Sequence, residues 1–597
     1  MLEITYCVDG ENDSMSNHVT KIFHKIWGGF AIPHKPIRFR WIDFLLVLGI
    51  AGLFYGLVSV EREWTGVWQP TVEIDLNPWL LPKYTFFSMV RGIIAYGLSL
   101  TFTLVYGYWA AKDKIAEKVL VPLLDILQSV PVLGFMPGLV LTLVGVFPHS
   151  NIGLELAAII MIFTGQVWNM TLSFYHSLCS VPTDMREAAK TFRFNWWQTS
   201  NWVEVPYAAI GLVWNSMMSM SGGWFFLMIS EAFVLGHNDF RLPGLGSYMS
   251  IAVNQGNFPA MVYAIIAMIV MIVFLDIFLW RPVAVWSQKF KIEETGQQFA
   301  TSSSFILNLL KKAGLLQYTE GIFIYLIDVI AGNPSFKKKV QVKNIRKIQF
   351  PFRIFVWTIY AAFIGLFGFG CWKLYHMLQI LPLSSWGCLL WYGCLTLSRV
   401  LSAVAIGTLW TLPIGLAIGL SPKLSRILQP VIQIAASFPA PMLFIPIIII
   451  LKTAGIGLGY GSIALMLLGT QWYILFNVIA GAMSIPTDLK EASNLYKMNL
   501  CQKLKNLYIP AVFPFLITGW VTATGGAWNA SIIAEYAVFR GHTLTTSGLG
   551  AIISHAAEKA DFAMLTGAVL TMSAFVVVFN RLVWRSLYKT AQKRYTL

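Results

Sequence analysis

The fold is decided by two related stretches, VPTDMREAAK at residues 181–190 and IPTDLKEASN at residues 485–494. The shift of 304 positions that aligns them also aligns residues 165–281 with the later part of the chain without a gap. Further upstream the shift is 308 positions. The shift of 308 relates Arg91/Arg399 and Ser129/Ser437. The shift of 304 relates Glu187/Glu491, Asn195/Asn499, Pro206/Pro510, Gly222/Gly526, Trp224/Trp528 and Glu231/Glu535. The chain therefore contains the same unit twice, and duplicated membrane bundles commonly place a pathway between their copies.

Composition identifies the chain as an integral membrane protein. Of its 597 residues, 56% are hydrophobic and only 12% are charged. The net charge of +15 raises the possibility of nucleic-acid binding, but the basic residues lie between apolar runs, which favours a positive-inside membrane topology. The six cysteines have no metal-ligand spacing, and neither do His149, His237, His542 and His555, so we predict no metal site. The distribution of the basic residues predicts no nucleic-acid partner.

Apolar runs predict an all-α membrane protein of about twelve transmembrane helices in two tandem bundles. The predicted spans are 41–60, 84–111, 119–146, 152–178, 203–235 and 258–281, then 352–380, 391–420, 427–451, 458–483, 507–539 and 562–588. We predict a cytoplasmic tail at 1–40, a first membrane domain at 41–281, a basic, amphipathic cytoplasmic linker at 282–350 and a second membrane domain at 351–597. The distribution of Lys and Arg places both termini in the cytoplasm.

The two related stretches lie between the fourth and fifth predicted spans of each copy. Each predicts a short helix, because Thr and Asp cap free backbone amides at a helix start and Glu suits the first turn. A turn follows, and a proline then begins the next span. A single helix of this kind is explained equally well as an ordinary solvated loop helix. Two copies with unchanged spacing from Glu to Pro favour a function that depends on that geometry.

These stretches resemble the EAA loop of ABC importer permeases, in which Glu-Ala-Ala, three residues and Gly are followed by Ile-x-Leu-Pro. In that family the loop forms coupling helices that dock on cytoplasmic ATPase subunits. The resemblance assigns ATPase docking to Glu187, Ala188, Ala189, Arg193, Asn195 and Pro206, and to Glu491, Ala492, Ser493, Lys497, Asn499 and Pro510.

One departure from the family pattern concerns the glycine, which is Arg193 in the first copy and Lys497 in the second. A left-handed residue with a long side chain costs about 1 kcal/mol or more. We therefore predict that the turn has moved to Asn195 and Asn499, which tolerate that conformation better. The alternative is that the basic residues reach acidic groups on the ATPase.

Four further features resemble the nitrate, sulfonate, taurine and bicarbonate permeases, including their fused, pseudo-twofold type I form. They are Arg91 and Arg399, the Ser-x-Pro in the third span, Glu231 and Glu535, and the Gly-Leu-Gly that follows. The resemblance implies an importer in the bacterial inner membrane for a small anion, with two ATPase subunits, a periplasmic binding protein and membrane lipid as partners. No Walker P-loop occurs in the sequence, so ATP and Mg²⁺ would bind to the separate ATPase and this chain would bind no cofactor and have no catalytic residues. The main alternative is a twelve-helix secondary transporter driven by an ion gradient.

Residues of the repeat also predict a translocation pathway or gate, for which each candidate has a structural alternative. Glu231 and Glu535 either face the pathway or hydrogen-bond to Arg91 and Arg399 to hold an outer gate, and an anionic substrate favours the second role. Small residues nearby either line a pore or permit close helix packing. The full set is Arg91, Ser129, Gly222, Trp224, Glu231, Arg399, Ser437, Gly526, Trp528 and Glu535.

Overall fold

The computed structural model describes residues 73–235, 238–290, 368–539 and 542–584, together with scattered positions from 48 to 64 and residues 365, 586 and 587. The predicted tail at 1–40, most of the linker at 282–350, and much of the predicted spans at 41–60 and 352–380 lie outside the described residues. Within the described residues the chain forms two compact units. The smaller one contains residues 177–214 and 275–290, and the larger one contains residues 60–176, 215–274 and 368–584.

The first copy is a series of helices interrupted by one hairpin. Its helices are α1 (Leu81–Phe102), α2 (Tyr108–Lys112), α3 (Lys114–Ser129), α4 (Val132–Val146), α5 (Ile152–Cys179), α6 (Thr183–Thr191), α7 (Trp196–Thr199) and α8 (Val205–Ser230). Strands β1 (Ala232–Leu235) and β2 (Asn238–Arg241) follow, then α9 (Leu245–Asn254), α10 (Phe258–Leu275) and α11 (Arg281–Ser287). Short π-helical segments at Thr103–Gly107, Ser200–Glu204 and Asp276–Trp280 join neighbouring helices.

The second copy repeats this order. Its helices are α12 (Leu383–Leu420), α13 (Pro422–Ser437), α14 (Ala440–Thr453), α15 (Leu458–Met483), α16 (Thr487–Leu495), α17 (Leu500–Lys503) and α18 (Ile509–Ala534). Strands β3 (Tyr536–Phe539) and β4 (His542–Thr545) and helices α19 (Leu549–Glu558) and α20 (Phe562–Phe579) complete it. Residues 368–378 are helical as well, and π-helical segments lie at Leu504–Tyr508 and Asn580–Trp584.

Seven helices in the described part of the chain are long and apolar enough to cross a membrane, and an eighth span results if the bent pair α13–α14 counts as one. The predicted continuous helices at 119–146 and 427–451 are wrong in one respect, because each is broken by a proline. Val130 and Phe438 have ψ angles of 126° and 128°. A residue before proline is sterically kept out of the helical region, so α3 and α13 end there, and α13 meets α14 at 83°.

The predicted spans at 203–235 and 507–539 are too long at their carboxyl ends. Helices α8 and α18 end at Ser230 and Ala534, and the next apolar residues form antiparallel hairpins instead. In the first hairpin Phe233 pairs with Phe240, and their rings stack at 5.2 Å between centroids. In the part of the chain that the structure describes, two short hairpins therefore accompany the helices.

The core of the larger unit is built by both copies. The Val132 amide at the start of α4 donates to Asn529 Oδ1 of α18 at 2.8 Å. Gly134 packs so closely on α20 that a Cβ there would lie 2.5 Å from Val569 Cγ2. The first turn of α4 is thus held against the second copy by a side-chain hydrogen bond and by close packing.

Candidate functional site

The two helices α6 and α16 have the same length and the same ends. Each begins after a proline, Pro182 or Pro486, with φ of −55° and ψ of 143°. Nine residues later each ends in the same hydrogen-bonded turn. Glu187 and Glu491 are exposed on these helices, whereas Ala189 and Ser493 are buried. The assignment of all four to ATPase docking stays a prediction. Partial burial lowers the pKa of the neighbouring Lys490 ammonium.

The turn after each helix is where the sequence prediction is wrong. Arg193 and Lys497 themselves adopt the left-handed conformation, with φ of 53° and 50°. The next amides, on Phe194 and Met498, donate back to the carbonyls of Ala189 and Ser493 at 3.0 and 3.1 Å. This return bond requires the left-handed residue to come directly after the C-cap residue, Phe192 or Tyr496. The turn therefore cannot move two positions along.

Asn195 and Asn499 have a different task, since they cap the short helices α7 and α17. Their φ angles are −72° and −73°, and each side chain accepts from the amide three residues later, as part of a capping box with Gln198 or Gln502. A cap needs extended backbone, which is why these asparagines do not take the left-handed position. Pro206 and Pro510 lie in the first turns of α8 and α18, directly after the π-helical segments Ser200–Glu204 and Leu504–Tyr508.

A buried polar cluster, here called the first-copy cluster, surrounds Arg91 on α1. The guanidinium donates to both oxygens of Glu155 (Nε–Oε2 2.5 Å, Nη2–Oε1 2.6 Å) and, through Nη1, to Glu231 Oε1 at 2.8 Å. Ser88 adds a 2.6 Å bond to the same oxygen of Glu231. The other oxygen of Glu231 accepts from the Gly246 amide at 2.7 Å. Every partner in this cluster is almost fully buried.

The second-copy cluster has the same plan around Arg399. Its Nη1 donates to Glu535 Oε1 at 2.8 Å, Thr396 takes the place of Ser88, and the Gly550 amide donates to Glu535 Oε2 at 2.9 Å. Its Nη2, however, donates to the Thr546 hydroxyl at 3.1 Å, where Arg91 has a carboxylate. The hydrogen bonds expected between the arginines and glutamates are present in both copies, and their role as a gate stays a prediction.

The Gly-Leu-Gly segments are explained by these clusters. A Cβ on Gly244 or on Gly548 would collide with the carboxylate of Glu231 or Glu535. The absence of a side chain therefore lets α9 and α19 begin directly against the buried glutamate, whose carboxylate accepts an amide from the first turn of each. The repeated motif is thus a helix start seated on a buried acid.

A cavity of about 170 Å³ lies within the larger unit and is lined by both copies. Polar and aromatic side chains from α3, α5, α8, α15 and α18, with the segment that follows α20, form part of its wall. They include Gln128, Thr164, Trp168, Asn169, Ser221, Trp472, Tyr473, Thr522, Thr524, Asn529, Asn580 and Trp584. A cavity between copies is the expected place for a translocation pathway.

The predicted pathway residues do not all lie in one place. Gly222 and Gly526 line the cavity. Arg91, Glu231, Arg399 and Glu535 form the two clusters, while Trp224 and Trp528 are buried in helix packing, Trp224 against Gly92. Ser437 bonds to the Gln433 carbonyl of its own helix, and the side chain of Ser129 lies outside the described residues.

Several residues of these sites were not predicted. Glu155 has no acidic counterpart in the second copy, so the repeat did not mark it as a partner of Arg91. Ser88 and Thr396 lie one helical turn before the repeated arginine and follow the same shift of 308 positions. The cavity polar groups carry no sequence signal, because apolar helices contain many such residues that only pack.

Comparison with known proteins agrees with this geometry. The chain matches the family described as binding-protein-dependent transport system inner membrane component twice, over residues 103–280 and 411–594. It is 26% identical over 195 residues to the bicarbonate transport system permease protein CmpB of Synechococcus elongatus, covering 33% of this chain and 67% of that one.

Two further relatives have similar sequence identities over shorter segments. The taurine transport system permease protein TauC of Escherichia coli is 27% identical over 185 residues, covering 30% of this chain and 63% of the relative. The nitrate import permease protein NrtB of Synechocystis is 27% identical over 141 residues, covering 24% and 50%. Because the family match covers more than half of the sequence and occurs once in each copy, the chain belongs to the binding-protein-dependent transport system inner membrane components, as a tandem, multi-pass membrane permease.

Proposed function

We propose that this chain is the permease subunit of an ATP-driven importer for a small anion, with both membrane domains on one polypeptide. The observation that carries the proposal is the paired geometry of α6 and α16. Both keep an identical start, an identical left-handed end at a basic residue and an exposed glutamate. A loop without a partner has no reason to keep a strained turn twice.

In this proposal the helices α6 and α16 couple ATP hydrolysis to transport. Two separate ATPase subunits would bind ATP and Mg²⁺ and would each receive one helix, with Glu187 or Glu491 at the contact. Closure of the ATPases would move the two helices together and switch the access of the cavity from one side of the membrane to the other. The chain itself would hydrolyse nothing, and a periplasmic binding protein would deliver the substrate.

The substrate class comes from the relatives. They are named as permeases for bicarbonate, taurine and nitrate, which are small oxyanions or carry a sulfonate. The proposed location is the bacterial inner membrane with both termini in the cytoplasm, as the distribution of basic residues predicts.

Charge reversal on the two helices tests the coupling. In Glu187→Lys and Glu491→Lys we expect at least about tenfold less ATPase recovered with the tagged full-length chain, and the double variant should lose ATP-dependent anion uptake. Glu73→Lys, the same change on an exposed residue of a loop predicted to face outward, is the control and should leave both unchanged. Uptake that persists without any ATPase subunit would contradict the proposal.

A further inference from the structure

One edge of the Arg399 guanidinium, formed by Nε and Nη2, is not paired as the same edge of Arg91 is. Both arginines use Nη1 alike, for a glutamate and for the backbone carbonyl just before the Gly-Leu-Gly segment. Arg91 then donates from Nε and Nη2 to the two oxygens of Glu155. Arg399 donates from Nη2 to the Thr546 hydroxyl, and within the described residues its Nε has no hydrogen-bond partner.

The difference comes from position 459, where the second copy has glycine in place of Glu155. Helices α5 and α15 run without a break from these two positions into the segment that the shift of 304 aligns, so Gly459 is the counterpart of Glu155. A Cβ on Gly459 would lie 3.5 Å from Thr546 Oγ1, and that oxygen accepts from Arg399 Nη2 at 3.1 Å. Position 459 therefore lies beside this edge of the guanidinium and supplies no side chain to it.

The unpaired edge of Arg399 is accessible from outside the chain. The Arg399 side chain is 13% exposed, against 2% for Arg91, although the glutamate that each arginine pairs with through Nη1 is fully buried. The unpaired Nε atom is itself not fully buried. Gly459 is the second residue of α15 and Thr546 directly follows β4, so the edge lies near loops that we predict to face outward.

A carboxylate suits this edge in shape and in charge. Two parallel N–H groups match the two oxygens of a carboxylate, as the pair Arg91–Glu155 shows in the first copy. With one bound carboxylate, Arg399 would have two carboxylates around it, which is the charge balance that the fold already holds around Arg91. A divalent anion would meet more repulsion from Glu535, whose Oε1 lies 2.8 Å from the same guanidinium.

We propose that Arg399 is a binding site for a carboxylate from outside the chain, which takes the place that Glu155 has in the first copy. The ligand would accept from Nε and Nη2 of Arg399. The Thr546 hydroxyl would turn to donate to the ligand, since a hydroxyl both donates and accepts. The carboxylate belongs either to a small organic acid or to an acidic side chain of a partner protein. Arg399, Gly459 and Thr546 do not line the cavity between the copies, so the site is separate from that cavity.

Binding to the full-length chain in lipid nanodiscs tests the site. Sodium acetate is the probe for a small acid, and the blocked tripeptide acetyl-Gly-Glu-Gly-amide is the probe for an acidic side chain. Each is titrated against sodium chloride at equal ionic strength, with sodium sulfate as the divalent comparison. The readout is the thermal unfolding midpoint, which rises saturably when a ligand binds the folded state. We expect acetate to saturate; saturation by the peptide as well would identify a partner side chain as a source.

The variants supply or remove what the site needs. Gly459→Glu provides the carboxylate within the chain, so it should raise the midpoint in chloride and weaken the apparent acetate affinity at least about tenfold. Gly459→Ala is its matched control, because it adds helix propensity and a Cβ but no acceptor. Arg399→Lys keeps a positive charge beside Glu535 but not the two parallel N–H groups, so it should also lose the acetate response. Lys452→Ala, which removes an exposed basic residue near the end of α14, should keep that response.

Several results would overturn the site. The first is the absence of a saturable response to either probe in the wild type, which would mean that water alone hydrates this edge. The others are an acetate response that Arg399→Lys retains, an equal loss of the response in Gly459→Ala or Lys452→Ala, and sulfate binding tighter than acetate binding. If Gly459→Glu does not fold, Arg399→Lys decides. Because the readout requires neither an ATPase nor transport, failure of this site would leave the proposed import function unaffected.

Discussion

The first-copy and second-copy clusters use the same arginine, glutamate and glycine positions but balance the guanidinium differently. Around Arg91 there are two carboxylates, and its side chain is 2% exposed. Around Arg399 there is one, with a side-chain exposure of 13%. In a permease of two identical halves, both arginines would have the same partners. A fused duplicate can keep the arginine, glutamate and glycine positions and change the other partners in each half.

The exchange of partners can be followed atom by atom. The Nη2 group donates to Glu155 in the first copy and to Thr546 in the second. The residue aligned with Thr546 is Leu242, which has no acceptor in its side chain. Each cluster therefore has one acceptor for this donor, supplied by α5 in the first copy and by the loop before α19 in the second.

Removal of the arginine is expected to have the largest effect, and to have it unequally. Arg91→Ala leaves two buried carboxylates without a counter-ion and should lower the free energy of unfolding by about 3–5 kcal/mol. Arg399→Ala leaves one buried carboxylate, that of Glu535, and removes an arginine that is itself more exposed than Arg91, so it should cost about 1.5–3 kcal/mol. The measurement is unfolding of the full chain by SDS titration in mixed micelles. Equal losses of unfolding free energy would show that the second carboxylate around Arg91 does not change how much stability its cluster contributes.

Neutralising the additional carboxylate is expected to have an intermediate effect. Glu155→Gln keeps the shape but replaces a charge-assisted bidentate pair by a neutral hydrogen bond, and should cost about 1–3 kcal/mol in the same titration. Thr546→Val, the matching change in the second copy, removes one neutral acceptor and should cost about 0.5–1.5 kcal/mol.

A double-mutant cycle keeps this comparison specific. In the background of Arg91→Ala, Glu155→Gln should become neutral or stabilising, because it then removes an unpaired charge. A cost that is independent of Arg91 would mean that Glu155 acts through packing alone.

The sequence predicted the repeat, the helical membrane fold and the two short helices α6 and α16, because these depend on periodic and local patterns. Their docking on an ATPase stays a prediction. It did not predict the hairpins after Ser230 and Ala534, since an apolar run looks the same in a helix and in a strand. It also missed the breaks before Pro131 and Pro439, because a proline alone does not mark a helix end: Pro122 and Pro430 lie inside α3 and α13. The position of the turn was wrong for a different reason. Local preference favours Asn195, but the return bond from Phe194 to the carbonyl of Ala189 requires the left-handed residue to be Arg193.

That turn gives the smallest expected effect and the finest comparison between the copies. Arg193→Gly and Lys497→Gly remove the strain of a long side chain at positive φ and should raise the free energy of unfolding by about 0.5–1 kcal/mol each. Arg193→Ala and Lys497→Ala remove the same charge but keep the strain, so they should not stabilise. If the basic side chains also contact acidic groups on the ATPase, both the Gly and the Ala variants will recover less ATPase with the chain. Stabilisation by Gly with unchanged ATPase recovery would instead show that neither basic side chain contributes to docking. What Arg193 and Lys497 share would then be their strained backbone conformation alone.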